Sequence, residues 1–207
     1  MPDSLIEHKA WTREERNSPY YQQVINFLKE KKIETFIDAG GCTGEVSNIL
    51  LEEIPSIQRG FIIEPILENY NFILKNVIDP RIIVINKALY ETEDTLSIGR
   101  MSDNQNVGGY SLLWNDETFI VECIKLEAVC NFPVDFLKID IKGAELNIIE
   151  NSKVLCNIKY LELEFHNNMP TIEYWYNYLA EYFPNHNIVY TTDDPIIRSV
   201  LLAKRNL

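Results

Sequence analysis

The sequence predicts an α/β fold: a doubly wound, mostly parallel sheet with an antiparallel strand at its C-terminal edge. Short runs that are apolar at nearly every position carry the first half of that reading: Thr35–Asp38, Arg59–Glu64, Ile82–Asn86, Phe136–Asp140 and Tyr160–Phe165. Strands covered on both faces read this way, whereas a strand with one wet face alternates. The runs are separated by helical stretches and short loops, as successive strand–helix–strand units require. Two closing runs, Asn187–Tyr190 and Ser199–Ala203, flank the turn Thr191–Pro195 and so pair antiparallel.

Each element has its own signal. Residues Met1–Asn17 are polar, with one Trp11, and read as an N-terminal arm or lid ahead of a single domain spanning 18–207. Ser18 and Pro19 cap and open a helix. Tyr21, Val24, Ile25 and Leu28 then recur at helical spacing, carrying it to about Lys32. After the first strand, Val46, Ile49, Leu50 and Ile54 line one face of a helix that Pro55 closes. Pro65 opens the next, with Ile66, Tyr70, Ile73 and Leu74 inward. In the middle, Thr95–Ile98 and Phe119–Leu126 read as strands. The loop Gly99–Gly109 between them, with Ser111 and Trp114, is longer than a connection needs and reads as a substrate lid. Ala144–Glu150 is a short helix, and Ile172, Trp175, Tyr176, Leu179 and Phe183 mark a last one stopped by Pro184.

Composition narrows the function classes. The chain has 207 residues, 46% hydrophobic and 24% charged, with a net charge of −12. A phosphate backbone draws its protein affinity from cations, so no nucleic-acid partner is expected, nor an anionic membrane surface. Cys42, Cys123, Cys130 and Cys156 form no C-x-x-C pair, which fits neither a zinc knuckle nor a disulfide framework. The N-terminus lacks a secretory pattern and no run is long enough to span a bilayer. A soluble cytoplasmic protein is the expectation.

The most informative segment is Asp38-Ala39-Gly40-Gly41-Cys42-Thr43-Gly44, between the first strand and the helix after it. Open α/β sheets bind ligands at this place, the carboxyl ends of the strands. Glycine is also what any tight strand-to-helix turn needs, so the count alone does not decide. The spacing is D-x-G-x-x-x-G rather than the dinucleotide pattern, and the carboxylate before the turn would repel a pyrophosphate. Glu64 ends the second strand, where an acid accepts both hydroxyls of a ribose. Asp38 and Glu64 together suit a nucleoside with a cationic tail, which S-adenosyl-L-methionine is.

A second segment, Asp135-Phe-Leu-Lys-Ile-Asp140-Ile-Lys142-Gly-Ala-Glu145, resembles the D-F-L-K-I-D-V-E-G-A-E box of the FkbM methyltransferases. Asn86–Leu89 and Leu161–His166 are similar to the same family, and the likeness runs from about Glu34 to Lys204. It implies a class I, Rossmann-like S-adenosylmethionine-dependent methyltransferase. It implies that Asp38, Gly40, Gly41, Cys42 and Gly44 hold the methionine part, Glu64 the ribose and Ala88 the adenine region, with Pro65 also among the cofactor-binding residues. Family members methylate sugar hydroxyls among other acceptors, so a glycan or small-molecule hydroxyl is the expected partner. Two positions depart from the pattern: Lys142 stands where an acid is usual, and Cys42 where asparagine often is.

Methyl transfer to an alcohol is an in-line displacement in which the acceptor also loses a proton. Asp140, at the end of the fourth parallel strand, faces the expected cleft; a plain cap on the following helix is the alternative. Glu162, Glu164 and His166 alternate along the next strand and so share a face. Asp140 and His166 are the candidates for positioning and proton removal, and Glu164 and Ser111 for substrate contact. Asp140, Glu164 and His166 also have the donor types for a divalent ion, although no metal is predicted. Lys138 reads as an ion-pair partner of Asp140. Two rivals stay open: a module that binds the cofactor without catalysis, and a nicotinamide-dependent enzyme.

Overall fold

A computed structural model describes residues 18–100, 110–112, 117–166, 171–192 and 198–205. Helix α1 (Pro19–Lys29) lays Tyr21, Val24, Ile25 and Leu28 on the sheet. It is followed by β1 (Thr35–Ala39), α2 (Glu45–Glu53), β2 (Arg59–Ile63), α3 (Leu67–Asn76) and β3 (Ile82–Ile85). After an inserted segment come α4 (Leu126–Val129), β8 (Phe136–Ile139), α5 (Glu145–Asn151), β9 (Tyr160–Phe165), α6 (Ile172–Tyr182), β10 (His186–Thr191) and β11 (Arg198–Lys204).

The main sheet has the order β10-β11-β9-β8-β1-β2-β3. Strands β3, β2, β1, β8 and β9 run parallel, and β11 is antiparallel to both β9 and β10. The closing antiparallel pair forms the edge as the sequence predicts. Within it the last strand takes the inner place and β10 is outermost.

Strand parity divides the core in two. Ile37, Ala39, Leu137, Ile139, Leu161 and Leu163 point to the face covered by α4, α5 and α6, where Trp175 is fully buried. Phe36, Phe136, Tyr160 and Leu201 point to the face covered by α1 and α2. Apolar side chains on both faces are why these strands read as unbroken hydrophobic runs. One row breaks that rule: Asp38, Lys138 and Glu162 are neighbours in register and all are buried. Burying charges is costly unless they are paired; Lys138 Nζ lies 3.7 Å from Asp38 Oδ1 and 3.3 Å from Asp140 Oδ2.

The segment between β3 and α4 folds into a second sheet of β4 (Ala88–Leu89), β5 (Thr95–Arg100), β6 (Tyr110–Ser111) and β7 (Glu117–Ile124), in the order β4-β7-β5-β6. Its own small core gathers Ala88, Ile98, Val121 and Cys123. The sequence predicts β5 and β7; two-residue strands such as β4 and β6 are too short to show a period. The strand expected to reach Leu126 ends at Ile124, where Lys125 turns the chain into α4. Gly99 and Arg100 of the expected lid belong to β5, while 101–109 and Trp114 lie outside the described residues, as do 1–17. Among the described residues no helix is long and apolar enough to cross a membrane.

Candidate active site

Where β1 ends, the N–H groups of Gly40 and Gly41 both donate to the Ile63 carbonyl, at 2.9 and 3.1 Å, stitching the glycine turn to the tip of β2. Gly40 has φ +84°, and a Cβ there would lie 1.8 Å from the Asp140 carbonyl oxygen. Only glycine lets the turn come this close to the loop after β8. Gly44, at φ +78°, then starts α2. Between them Cys42 takes φ +48°, a left-handed conformation uncommon for a residue with a side chain. Its N–H donates to Glu64 Oε2 at 2.8 Å.

Gly40, Cys42, Glu64, Pro65 and Ala88 line one cavity at the carboxyl ends of the strands. Leu96, Ile98, Tyr110 and Leu112 reach it from the small sheet, and Asp140 and Lys142 from the loop after β8. Gly41 and Gly44 are not on its wall; they face Ile62, Ile73 and Val77 and shape the turn by packing.

Glu64 is 4% exposed. Its Oε1 accepts the Ile66 N–H at 2.8 Å, with the Asn69 amide at 3.5 Å. Burial pushes its carboxyl pKa up to about 7, although these hydrogen bonds and the one from Cys42 favour the ion. A carboxylate has about four acceptor sites, so capacity remains for ligand hydroxyls. The Asn86 amide donates to the carbonyls of Glu64 and Pro65 at 2.9 and 3.0 Å and fixes this corner.

Asp38 is placed otherwise. It is 1% exposed, accepts from Ser47 Oγ at 2.8 Å, lies 3.7 Å from Lys138 Nζ, and does not line the cavity. Burial raises its carboxyl pKa against the pull of Lys138 and Ser47. Ser47 lies in α2, so this bond ties β1 to that helix. Ser111, expected at the substrate, donates to the Lys142 carbonyl at 2.6 Å, and the Leu112 N–H joins it at 3.2 Å. These bonds tie β6 to the loop after β8.

Asp140 stands at the centre of a charged cluster. Lys138 Nζ is 3.3 Å from its Oδ2, while Lys142 Nζ at 3.5 Å and His166 Nε2 at 3.8 Å face its Oδ1. Burial alone would raise its pKa, but Lys138, Lys142 and His166 together hold the carboxyl well below the usual range. His166 Nδ1 lies 3.2 Å from Glu145 Oε1 and its Nε2 3.2 Å from Glu164 Oε1. Burial disfavours a charged ring, yet Glu145, Glu164 and Asp140 outweigh it and raise the pKa to about 9. The carboxylates thus favour the charged ring, against the Lys142 ammonium 3.3 Å from Nε2. Neither His166 nor Glu164 is on the cavity wall. Asp140, Glu164 and His166 do come together, each offering an atom within 4.8 Å of the others.

The sequence matches the methyltransferase FkbM domain over residues 36–187. The chain belongs to the FkbM methyltransferase family. No curated protein matches it significantly. Its structure is similar to a crystal structure of methyltransferase FkbM from Methylobacillus flagellatus KT, at TM-score 0.58 and 18% identity over 83% of this chain and 44% of that one. The chain thus spans less than half the length of that relative. It is similar also to M. capricolum TrmK in complex with the natural cofactor product S-adenosyl-homocysteine, at TM-score 0.50 and 14% identity over 88% of this chain and 68% of that one. A precorrin-6y C5,15-methyltransferase from Geobacter metallireducens GS-15 gives TM-score 0.53 and 13% identity over 90% and 88%. Identities this low speak for a common fold.

Within this FkbM chain Glu145, to which the sequence alone gives no role, holds both His166 and the Gly143 N–H, the latter at 2.9 Å. The signal was present, since Glu145 closes the Asp135–Glu145 segment. Tyr110 and Leu112 left no such mark: they reach the cavity only because β6 pairs with β5.

Proposed function

We propose that this chain transfers the methyl group of S-adenosyl-L-methionine to a hydroxyl oxygen of a small-molecule or glycan acceptor, a sugar hydroxyl first among them. The observation that carries the reading is Glu64, a buried carboxylate on the cavity wall beside the Gly40 turn, suited to the ribose hydroxyls. Ala88, Leu89 and Ile98 supply an apolar lining for the adenine. Cys42 and Gly40 bring backbone to the methionine end, and Asp38 keeps their turn in place.

In the transfer, the acceptor oxygen attacks the methyl carbon, an O–C bond forms and the C–S bond breaks. Its electron pair stays on sulfur and leaves a neutral thioether. The hydroxyl proton passes to Asp140, which lines the cavity. A weak base suffices, because an oxygen bearing both the methyl group and its proton is strongly acidic. His166 serves as a charged anchor for Asp140 rather than as the base. The net charge of −12 weighs against a nucleic-acid acceptor.

The test is transfer of labelled methyl from S-adenosylmethionine into a panel of sugars and glycosides. Label in a methyl ether, with S-adenosylhomocysteine released in equal amount, is expected. Cofactor binding with no transfer to any hydroxyl would leave a binding module; tight NAD binding would mean a nicotinamide enzyme.

A further inference from the structure

Two carboxylate oxygens and an imidazole nitrogen within 4.8 Å of one another, from Asp140, Glu164 and His166, form a donor set that divalent ions use. In this chain the cluster already contains an ammonium. Lys142 Nζ lies 3.5 Å from Asp140 Oδ1 and 3.3 Å from His166 Nε2, two of those three donors. Asp140 Oδ2 faces Lys138, and the far nitrogen of His166 faces Glu145. Lys138 also faces Asp38, at 3.7 Å, so Asp38, Asp140, Glu145 and Glu164 all lie around these groups, and an incoming ion would meet the Lys142 ammonium already beside two of its donors.

The backbone holds Lys142 where it is. Its φ of +51° is left-handed, a strained setting for a residue with a Cβ. Its carbonyl is clamped by Ser111 and Leu112 from the small sheet. The side chain keeps 29% of its surface exposed and lines the cavity, so the ammonium is within reach of a ligand.

We propose that the Lys142 ammonium is the resident cation of this cluster, standing in the place a divalent ion would take and holding the acceptor oxygen by a charge-assisted hydrogen bond. Its role toward the acceptor rests on the methyl-transfer reading; its occupation of the cation position does not. The ammonium donates to one lone pair of the hydroxyl, leaves the other for the methyl carbon, and favours loss of the proton to Asp140. An oxygen acceptor is thereby served without a divalent ion.

Manganese is the probe, with free Mn²⁺ read by electron paramagnetic resonance. In wild-type protein the ion stays free up to millimolar concentration. Lys142→Glu, which replaces the ammonium by a further carboxylate, binds one Mn²⁺ per chain at least about tenfold more tightly. Lys142→Met, which removes the charge and adds no ligand, falls between the two. Tight binding by the wild type, or one affinity for all three proteins, overturns the proposal. Should Lys142→Glu fail to fold by circular dichroism, wild type against Lys142→Met decides. Calorimetry with S-adenosylhomocysteine on the same samples keeps the readings apart: lost cofactor binding with the manganese order intact would sink the cofactor assignment alone.

Discussion

Gly40→Ala abolishes S-adenosylhomocysteine binding and lowers the thermal midpoint. The new Cβ would sit 1.8 Å from the Asp140 carbonyl oxygen, about half an ordinary contact distance. The atom it meets is backbone, so no rotamer change relieves it. The φ of +84° adds about 1–2 kcal/mol of strain for any residue with a Cβ. Relief requires the tips of β1 and β8 to separate, which moves the glycine turn and Asp140 apart together. Circular dichroism should show a folded chain and calorimetry no heat of binding. Unchanged affinity would mean that the turn is not part of the cofactor site.

Asp140→Asn lowers turnover by about 100-fold or more while cofactor affinity holds, since removing a proton acceptor costs on this scale. Asparagine keeps the shape and can still accept from Lys138, but it cannot take the proton. It also leaves Lys138, Lys142 and His166 without their shared anion, so a lower denaturation midpoint should accompany the kinetic loss. Initial rates at saturating S-adenosylmethionine, alongside calorimetry, separate the effects. Equal losses in turnover and affinity would make Asp140 a binding residue only.

The parallel strands were legible because both faces are covered, and a doubly covered strand needs apolar residues at nearly every position. The glycine turn was legible because left-handed backbone selects glycine at Gly40 and Gly44. The roles of the acids were not. Glu64 and Asp38 look alike in sequence, each at a strand tip. What separates them is that Asp38 has Lys138 as its register partner, and strand order is a tertiary fact. The state of His166 was hidden likewise, since neutral histidine is the default and the deciding carboxylate, Glu145, comes from α5. Lys142 could be seen as a departure from the family pattern, but its reach to His166 depends on the side-by-side pairing of β8 and β9.

The most direct measurement of the central claim is the affinity of S-adenosylhomocysteine for the wild type and Glu64→Gln at pH 6 and pH 8. A buried carboxyl with a pKa near 7 is mostly protonated at the lower pH and ionised at the higher. Ribose hydroxyls donate best to the ion, so binding releases a proton and tightens as pH rises through 7, by up to about tenfold between these two points. The glutamine variant should bind more weakly and show no such rise. Equal affinities for the two proteins, with the same pH dependence, would contradict the assignment of Glu64 to the ribose.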